Sequence, residues 1–260
     1  MPDGTAGAES AGVTQDTLLG GRVRLLQSAS GHRVGTDAVL LAAAARPEPG
    51  NRIADLGAGT GAVGLMIAVA EPSATVALVE RDERLVALAR RNVALNGAEA
   101  RVGVIAADVL GTSAARRGAG LAPGAYDLVV TNPPFAEPGR GRASPDPGRS
   151  AAHVLPLGGT ATWLRNAGAL LAGKGRLLVV HRADHVGALL AAWPRGFGAL
   201  RLRFVHPREE APASRVLIEA RRGSRAPLSV LSPLVLHGAD GSFTPLARAL
   251  HAGEARLAGD

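Results

Sequence analysis

Two kinds of apolar pattern alternate along the chain from about residue 36. Short, nearly continuous apolar runs at 52–55, 75–80, 101–106, 126–131 and 175–181 have the length and bounding residues of strands. Between them, stretches at 36–46, 62–70, 82–95, 157–171 and 184–193 have the length and spacing of helices. In 82–95 the positions Leu85, Leu88, Ala89 and Asn92 recur at intervals of three and four, and Asn96-Gly97 ends the turn. Thr36 or Asp37 is placed to cap the first helix, which Pro47 stops. Alternation of strand and helix predicts an α/β fold with a mainly parallel sheet. The last two strands, 200–206 and 215–220, are joined by too short a connection for a parallel crossover and should be antiparallel. Residues 1–22 lack periodicity and read as a flexible tail, 23–250 as one domain, and 251–260 as a second tail. The stretch 136–150 (AEPGRGRASPDPGRS) has no apolar period and is a long loop.

Composition narrows the classes. With 260 residues, 47% hydrophobic and 20% charged, the chain can bury a core and is not disordered. It has no cysteine, which excludes disulfides, zinc ribbons and thiol catalysis. Asp3, Glu9 and Asp16 stand where a signal peptide would be basic and then apolar. The longest apolar run, 39–45, is far short of the roughly 20 residues of a membrane span. The expectation is a cytoplasmic protein with no membrane partner.

The net charge of +7 is unevenly placed. Residues 1–100 hold nine arginines against eleven acids, whereas 101–260 hold twenty basic residues against eleven. The basic excess on the C-terminal side suggests an anionic partner there, nucleic acid first. A solvated basic surface would give the same count.

The first chemical motif is Asp55-Leu56-Gly57-Ala58-Gly59-Thr60-Gly61, between a strand and a helix. Glycines there allow a sharp turn and close approach of a ligand to the main chain. On spacing alone the motif, with Glu80 some 20 residues on, also fits the dinucleotide fingerprint. Asp55 argues against a pyrophosphate, which it would repel, and for a ligand with a cationic end. Asp108 ends the next strand. Glu80 could take both ribose hydroxyls and Asp108 an adenine amino group. Each acid alone could be a helix cap or a loop charge, but carboxylates ending three successive strands favour one shared ligand site.

The second motif is Thr131-Asn132-Pro133-Pro134-Phe135, at the end of the fourth strand. Two prolines must stop a ladder, and they stiffen the bend. The Asn132 side-chain oxygen and the Pro133 carbonyl are two acceptors, enough for both hydrogens of a planar NH2 group. Phe135 can stack on the ring that carries it. A Pro-rich turn with an Asx cap is the plainer reading of an isolated NPP.

DLGAGTG, VERD, AADVL and NPPF, in this order, resemble the class I S-adenosylmethionine-dependent methyltransferases that act on planar amines. More narrowly, GTDAVLL at 35–41, RRNVALNG at 90–97 and RFVHPREE…SRVLIEARRG at 203–223 resemble the bacterial family that methylates the adenine 6-amino group beside the anticodon of a valine tRNA. The resemblance implies a Rossmann-like, seven-stranded, mainly parallel sheet with one antiparallel strand and helices on both faces. It implies S-adenosyl-L-methionine as cofactor and tRNA as substrate. Asp55, Gly57, Gly59 and Gly61 would line the methionine part, Glu80 the ribose with Arg81 adjacent, and Asp108 and Val109 the adenine. Asn132, Pro133, Pro134 and Phe135 would form the catalytic corner, and Thr36 and Asp37 would lie over the cofactor. Phe135 stands where many relatives have Tyr, and the 136–150 loop looks unlike the commoner versions. Arg201, Arg203, Arg208, Arg215, Arg221, Arg222 and Arg225, with Arg140, Arg142 and Arg149 of the loop, are candidates for phosphate contacts.

Other signals are weaker. His181 and His185 straddle a strand end and a helix start, so they need not share a face as a metal pair would. His153 reads as a surface histidine, and Trp163 and Trp193 read as core. No metal is expected. The alternatives left open are methylation of a protein glutamine or a small molecule, including oxygen-directed transfer. An RNA-binding protein without turnover and, more remotely, an NAD oxidoreductase also remain.

Overall fold

The computed structural model describes residues 12–29, 33–134 and 158–258. Its elements are β1 (Val13–Leu18), β2 (Val23–Ser28), α1 (Thr36–Ala45), β3 (Arg52–Leu56), α2 (Ala62–Ala70), β4 (Thr75–Glu80), α3 (Glu83–Leu95) and β5 (Val102–Ala106). There follow α4 (Ser113–Gly118), β6 (Tyr126–Thr131), α5 (Gly159–Leu170), β7 (Leu171–Arg182), a 3-10 turn (Ala183–His185) and α6 (Val186–Ala192). The chain closes with β8 (Phe197–His206), β9 (Arg215–Arg222), β10 (Ser229–Val230), β11 (Leu234–Val235) and α7 (Pro245–Ala252).

Seven strands run in the order β8-β9-β7-β6-β3-β4-β5. β9 is antiparallel to both neighbours, and the other pairings in this row are parallel. The short strands β10 and β11 add to the outer edge of β8, parallel to it, which makes the sheet two strands larger than expected. One face carries α1, α2, α3 and α7 over a core that includes Leu40, Leu65, Ile67 and Leu128. The other carries α5 and α6 over Leu56, Val129, Leu164 and Val179. Central strands β3 and β6 are buried on both sides, which is why they read as continuous apolar runs. No described helix is long and apolar enough to cross a membrane.

The chain lays down β3, then β4 and β5 on one side, and returns to place β6 on the other. The sheet therefore changes direction between β3 and β6. In an open parallel sheet this is where a crevice forms beyond the carboxyl ends of the strands.

Both expected tails are corrected in their described parts, residues 12–22 and 251–258; the rest of each lies outside the described residues. Residues 13–28 are an antiparallel hairpin whose Val23 and Leu25 are fully buried. Its strands, VTQDTL and VRLLQS, interleave polar residues with apolar ones and do not form the apolar runs by which the central strands stand out. At the other end, α7 packs on α1, and the Leu257 N–H donates to the Ala43 carbonyl at 3.1 Å. The cap expected for α1 is also different. Gly35 occupies that position with no side-chain bond, and Asp37 is engaged elsewhere.

Candidate active site

The sheet order sets four sequence motifs side by side along one edge. Asn132 follows β6, the 57–61 loop follows β3, Glu80 ends β4, and Asp108 follows β5. Adjacent strands lie about 4.8 Å apart, so the row spans roughly 15 Å.

The loop is held from below and left open above. Gly57, Gly59 and Gly61 all have positive φ. At Gly61 a Cβ would come within 2.7 Å of a Leu78 methyl, and φ is +90°, so any other residue there would be strained and would force α2 or Leu78 to shift. At Gly59 a Cβ would meet nothing within 4 Å among the described residues, so the loop leaves open space at that point. Glu80 fixes the loop's position: its Oε2 accepts from the Gly59 N–H at 2.9 Å, and its Oε1 accepts from Arg81 and Asp82 at 2.8 and 2.9 Å. Asp55 lies beneath, 2% exposed, and accepts from the Gly64 N–H at 3.0 Å. Burial pushes its carboxyl up to about 7; the Gly64 bond pulls the other way, and the Glu80 charge adds a smaller upward push.

Beside the loop, Thr131 links β6 to β3 by donating to the Leu56 carbonyl at 2.9 Å. The same hydroxyl accepts from the Trp163 indole at 3.0 Å. The Trp163 ring lies 3.3 Å from where a Gly57 Cβ would be. Trp163 is therefore a core residue, as expected, and also the floor of the glycine loop. Next along the chain, Asn132 turns its Oδ1 into a buried position with no hydrogen-bond partner among the described residues. Pro133 is buried and Pro134 half-buried. An acceptor shut off from water and left unpaired is costly, and such groups call for an explanation in the site's chemistry.

The outer positions are more exposed. Asp108 Oδ1 accepts from the Leu110 N–H at 2.9 Å, and its other oxygen lies 3.8 Å from Arg81. Val109 is buried and its carbonyl accepts from Asn166 at 2.8 Å. Thr36 opens α1, and Asp37 pairs with Arg215 Nε at 2.9 Å, at the start of β9. The Asp37 carboxylate is thus drawn toward a strand three places from β3 in the sheet. Phe135, the 136–150 loop with Arg140, Arg142 and Arg149, and His153 lie outside the described residues.

Six of the seven described candidate arginines separate into two groups, and Arg201 is half-buried. Arg203 is 8% exposed and donates to the Ser232 and Ala258 carbonyls, Arg215 holds Asp37, and Arg222 holds the Leu171 carbonyl. Arg203 is an internal fastener, and Arg215 and Arg222, both half-buried, are engaged within the fold, so these three differ from the free phosphate ligands the sequence suggested. Arg208, Arg221 and Arg225 are exposed. Arg208 follows β8 on the same edge as Asn132, whereas Arg221 is level with Arg176 and Leu128, toward the opposite edge. His181 and His185 do face each other, with ring centroids 5.3 Å apart. Burial pushes His181 down to about 4, with the His185 charge adding to it. No group of three metal-capable side chains occurs among the described residues.

A family model for the methyltransferase small domain matches residues 28–188, which contain the whole strand-end row. The chain belongs to this family. It is an S-adenosylmethionine-dependent methyltransferase. The row's open glycine loop, flanking acids and orphaned Asn132 oxygen suit such a cofactor and an acceptor beside it. A protein of Porphyromonas gingivalis strain ATCC 33277, named tRNA1(Val) (adenine(37)-N6)-methyltransferase, is 31% identical, with 84% of this chain and 87% of that one covered. A protein of the same name from Serratia proteamaculans is 33% identical, covering 82% of this chain and 79% of that one. A crystal structure described as a predicted O-methyltransferase, protein Atu636 of Agrobacterium tumefaciens, is 34% identical with a TM-score of 0.73, covering 86% of this chain and 99% of that one.

Proposed function

We propose that this methyltransferase methylates the 6-amino group of an adenine in tRNA, beside the anticodon. The observation that carries the reading is the buried Asn132 Oδ1, without a partner among the described residues, at the β6 end across the switch point from the glycine loop. The names of the Porphyromonas and Serratia relatives support the substrate.

Bound S-adenosylmethionine supplies an electrophilic methyl group. The work left to the protein is to make an adenine amine nucleophilic, because its lone pair is delocalised into the ring. Asn132 Oδ1 and the Pro133 carbonyl each accept one amine hydrogen, which favours a pyramidal nitrogen with its lone pair directed out of the ring plane. Both acceptors stabilise the positive charge that develops on nitrogen. The prolines hold them in place, so little reorganisation is needed. The methylated ammonium is acidic and gives its proton to water without a strong base. The family resemblance assigns the stacking role on the base to Phe135, which lies outside the described residues. A stacked base is out of reach inside a duplex, so the target is unpaired or flipped.

Oxygen-directed transfer is the second reading, favoured by the described activity of the Agrobacterium neighbour. A hydroxyl has one hydrogen to give and would leave one of the two acceptors unused. This favours the amine. Within the RNA reading, Arg208 contacts the backbone near the target, while Arg221 and Arg225 contact it farther along. A tRNA substrate supports a cytoplasmic location.

The test is incubation with S-adenosylmethionine and unmodified tRNA, followed by mass spectrometry of the nucleosides. N6-methyladenosine in tRNA is the expected product. Methyl transfer to protein or to small hydroxyl compounds, with none to tRNA, would refute the assignment.

A further inference from the structure

We propose that Asn92 is a positioning residue that joins the N-terminal hairpin to the glycine loop, so that cofactor binding is felt by the loop, the hairpin and the 33–37 segment as one unit. The inference rests on the cofactor reading of the 57–61 loop.

Asn92 lies on α3, 0% exposed, with its oxygen and both amide hydrogens engaged. Oδ1 accepts from the Leu26 N–H at 2.6 Å. Nδ2 donates to the Leu26 carbonyl at 3.0 Å and to the Thr60 carbonyl at 2.9 Å. One side chain therefore pairs with the edge of β2 as another strand would, and also grips the loop between Gly59 and Gly61. The loop is then held from two sides, at the Gly59 N–H by Glu80 and at the Thr60 carbonyl by Asn92.

The connection continues through β2. Gln27, next to Leu26, is 3% exposed; its Oε1 accepts from the Val34 N–H at 2.7 Å and its Nε2 donates to Asp16 at 2.8 Å. Asp16 also takes Arg33 at 2.6 Å. Residues 33 and 34 are thereby tied to the hairpin just before Thr36 and Asp37 open α1. A continuous line of bonds runs from Thr60 through Asn92, Leu26 and Gln27 to Val34.

Asn96 shows what is special about Asn92. It bonds Arg24 of β2 in the same two-way manner, at 2.9 and 2.7 Å. The match is geometric: four residues of helix rise about 6 Å, close to the rise of about 6.6 Å for two residues of strand. Asn96 fastens the hairpin but does not reach the loop; its other donor bond goes to the Asn92 carbonyl.

The experiment measures hydrogen exchange and calorimetric binding with S-adenosylhomocysteine as the probe. In the wild type, the probe should slow exchange at the β2 amides and across 33–37. Asn92→Leu should weaken probe binding about tenfold and make β2 exchange insensitive to it. Asn92→Asp keeps an acceptor for Leu26 but no donor for Thr60, and should behave alike if the Leu variant does not fold. Asn96→Ala should speed β2 exchange with and without probe while keeping the probe-dependent slowing. Wild-type affinity in both Asn92 variants, or β2 amides indifferent to the probe in the wild type, would overturn the proposal. Absence of probe binding by the wild type would instead count against the cofactor reading itself.

Discussion

Replacing Asp55 by Asn should change how stability depends on pH, in a direction that burial dictates. In the folded protein this carboxyl titrates at about 7 against an ordinary 3.8, chiefly because it is buried. Between those values the folded state holds a proton that the unfolded state has released. Stability therefore falls as pH rises from about 4 to about 7, and is flat above. Three pH units at 1.36 kcal/mol each give about 4 kcal/mol. His181 opposes this slope. Its folded value of about 4 lies below the ordinary 6.5, so its neutral form gains stability as pH rises through the same range. The readout is consequently the difference between wild type and Asp55→Asn. The Asn oxygen still accepts from the Gly64 N–H, and no charge is buried. Urea unfolding at pH 4.5, 6 and 8 should find the two proteins close at the lowest pH. The variant should be more stable at pH 8, by up to about 4 kcal/mol. A difference that stays constant with pH, or that favours the wild type increasingly as pH rises, would refute the assignment of a buried, proton-holding Asp55. Ionisation also sets a negative charge beneath the glycine loop. S-adenosylmethionine should therefore bind the wild type more tightly at pH 8 than at pH 6, while Asp55→Asn shows no such gain.

Other outcomes follow from the same geometry. Trp163→Phe removes the indole donor to Thr131 from beneath Gly57 and should cost about 1–3 kcal/mol in chemical denaturation, with cofactor affinity falling too; unchanged values for both would separate Trp163 from the loop. Glu80→Gln keeps the shape of the strand end but loses charge and one acceptor toward three N–H groups. Its S-adenosylhomocysteine affinity should drop about tenfold by calorimetry, and an unchanged affinity would contradict a cofactor role. Arg221→Glu with Arg225→Glu should weaken tRNA binding at all sequences and flatten its salt dependence by roughly one unit of slope per lost phosphate contact. An unaltered salt slope would place the RNA elsewhere.

The central α/β pattern was legible because strands such as 126–131 are buried on both faces and bounded by glycine or proline. β10, β11 and α4 are too short to show a period, and the hairpin strands VTQDTL and VRLLQS mix polar with apolar residues where the central strands run apolar, so they carry little pattern to read. α7 did leave a signal: Thr244 caps it by accepting from Ala247 at 3.2 Å, and Pro245 opens the helix. In the candidate site, the glycine loop, the three strand-end acids and the Asn-Pro-Pro corner were visible because each is a contiguous motif at a strand end. Their fastenings were not. Asn92 reaches Leu26 across 66 residues, Trp163 reaches Thr131 across 32, and Arg215 reaches Asp37 across 178. No local spacing encodes such pairs. The same limit explains why Arg203, Arg215 and Arg222 looked like a nucleic-acid surface: their carbonyl and carboxylate partners are brought to them only by the fold.

The central claim is that Asn132 presents a buried oxygen to an adenine amine. It is tested most directly by single-turnover methyl transfer from labelled S-adenosylmethionine to unmodified tRNA, comparing wild type with Asn132→Ala at saturating cofactor. The expected result is a rate lower by about 100- to 1000-fold, with cofactor affinity within a factor of about two. Transfer at the wild-type rate by Asn132→Ala would contradict it.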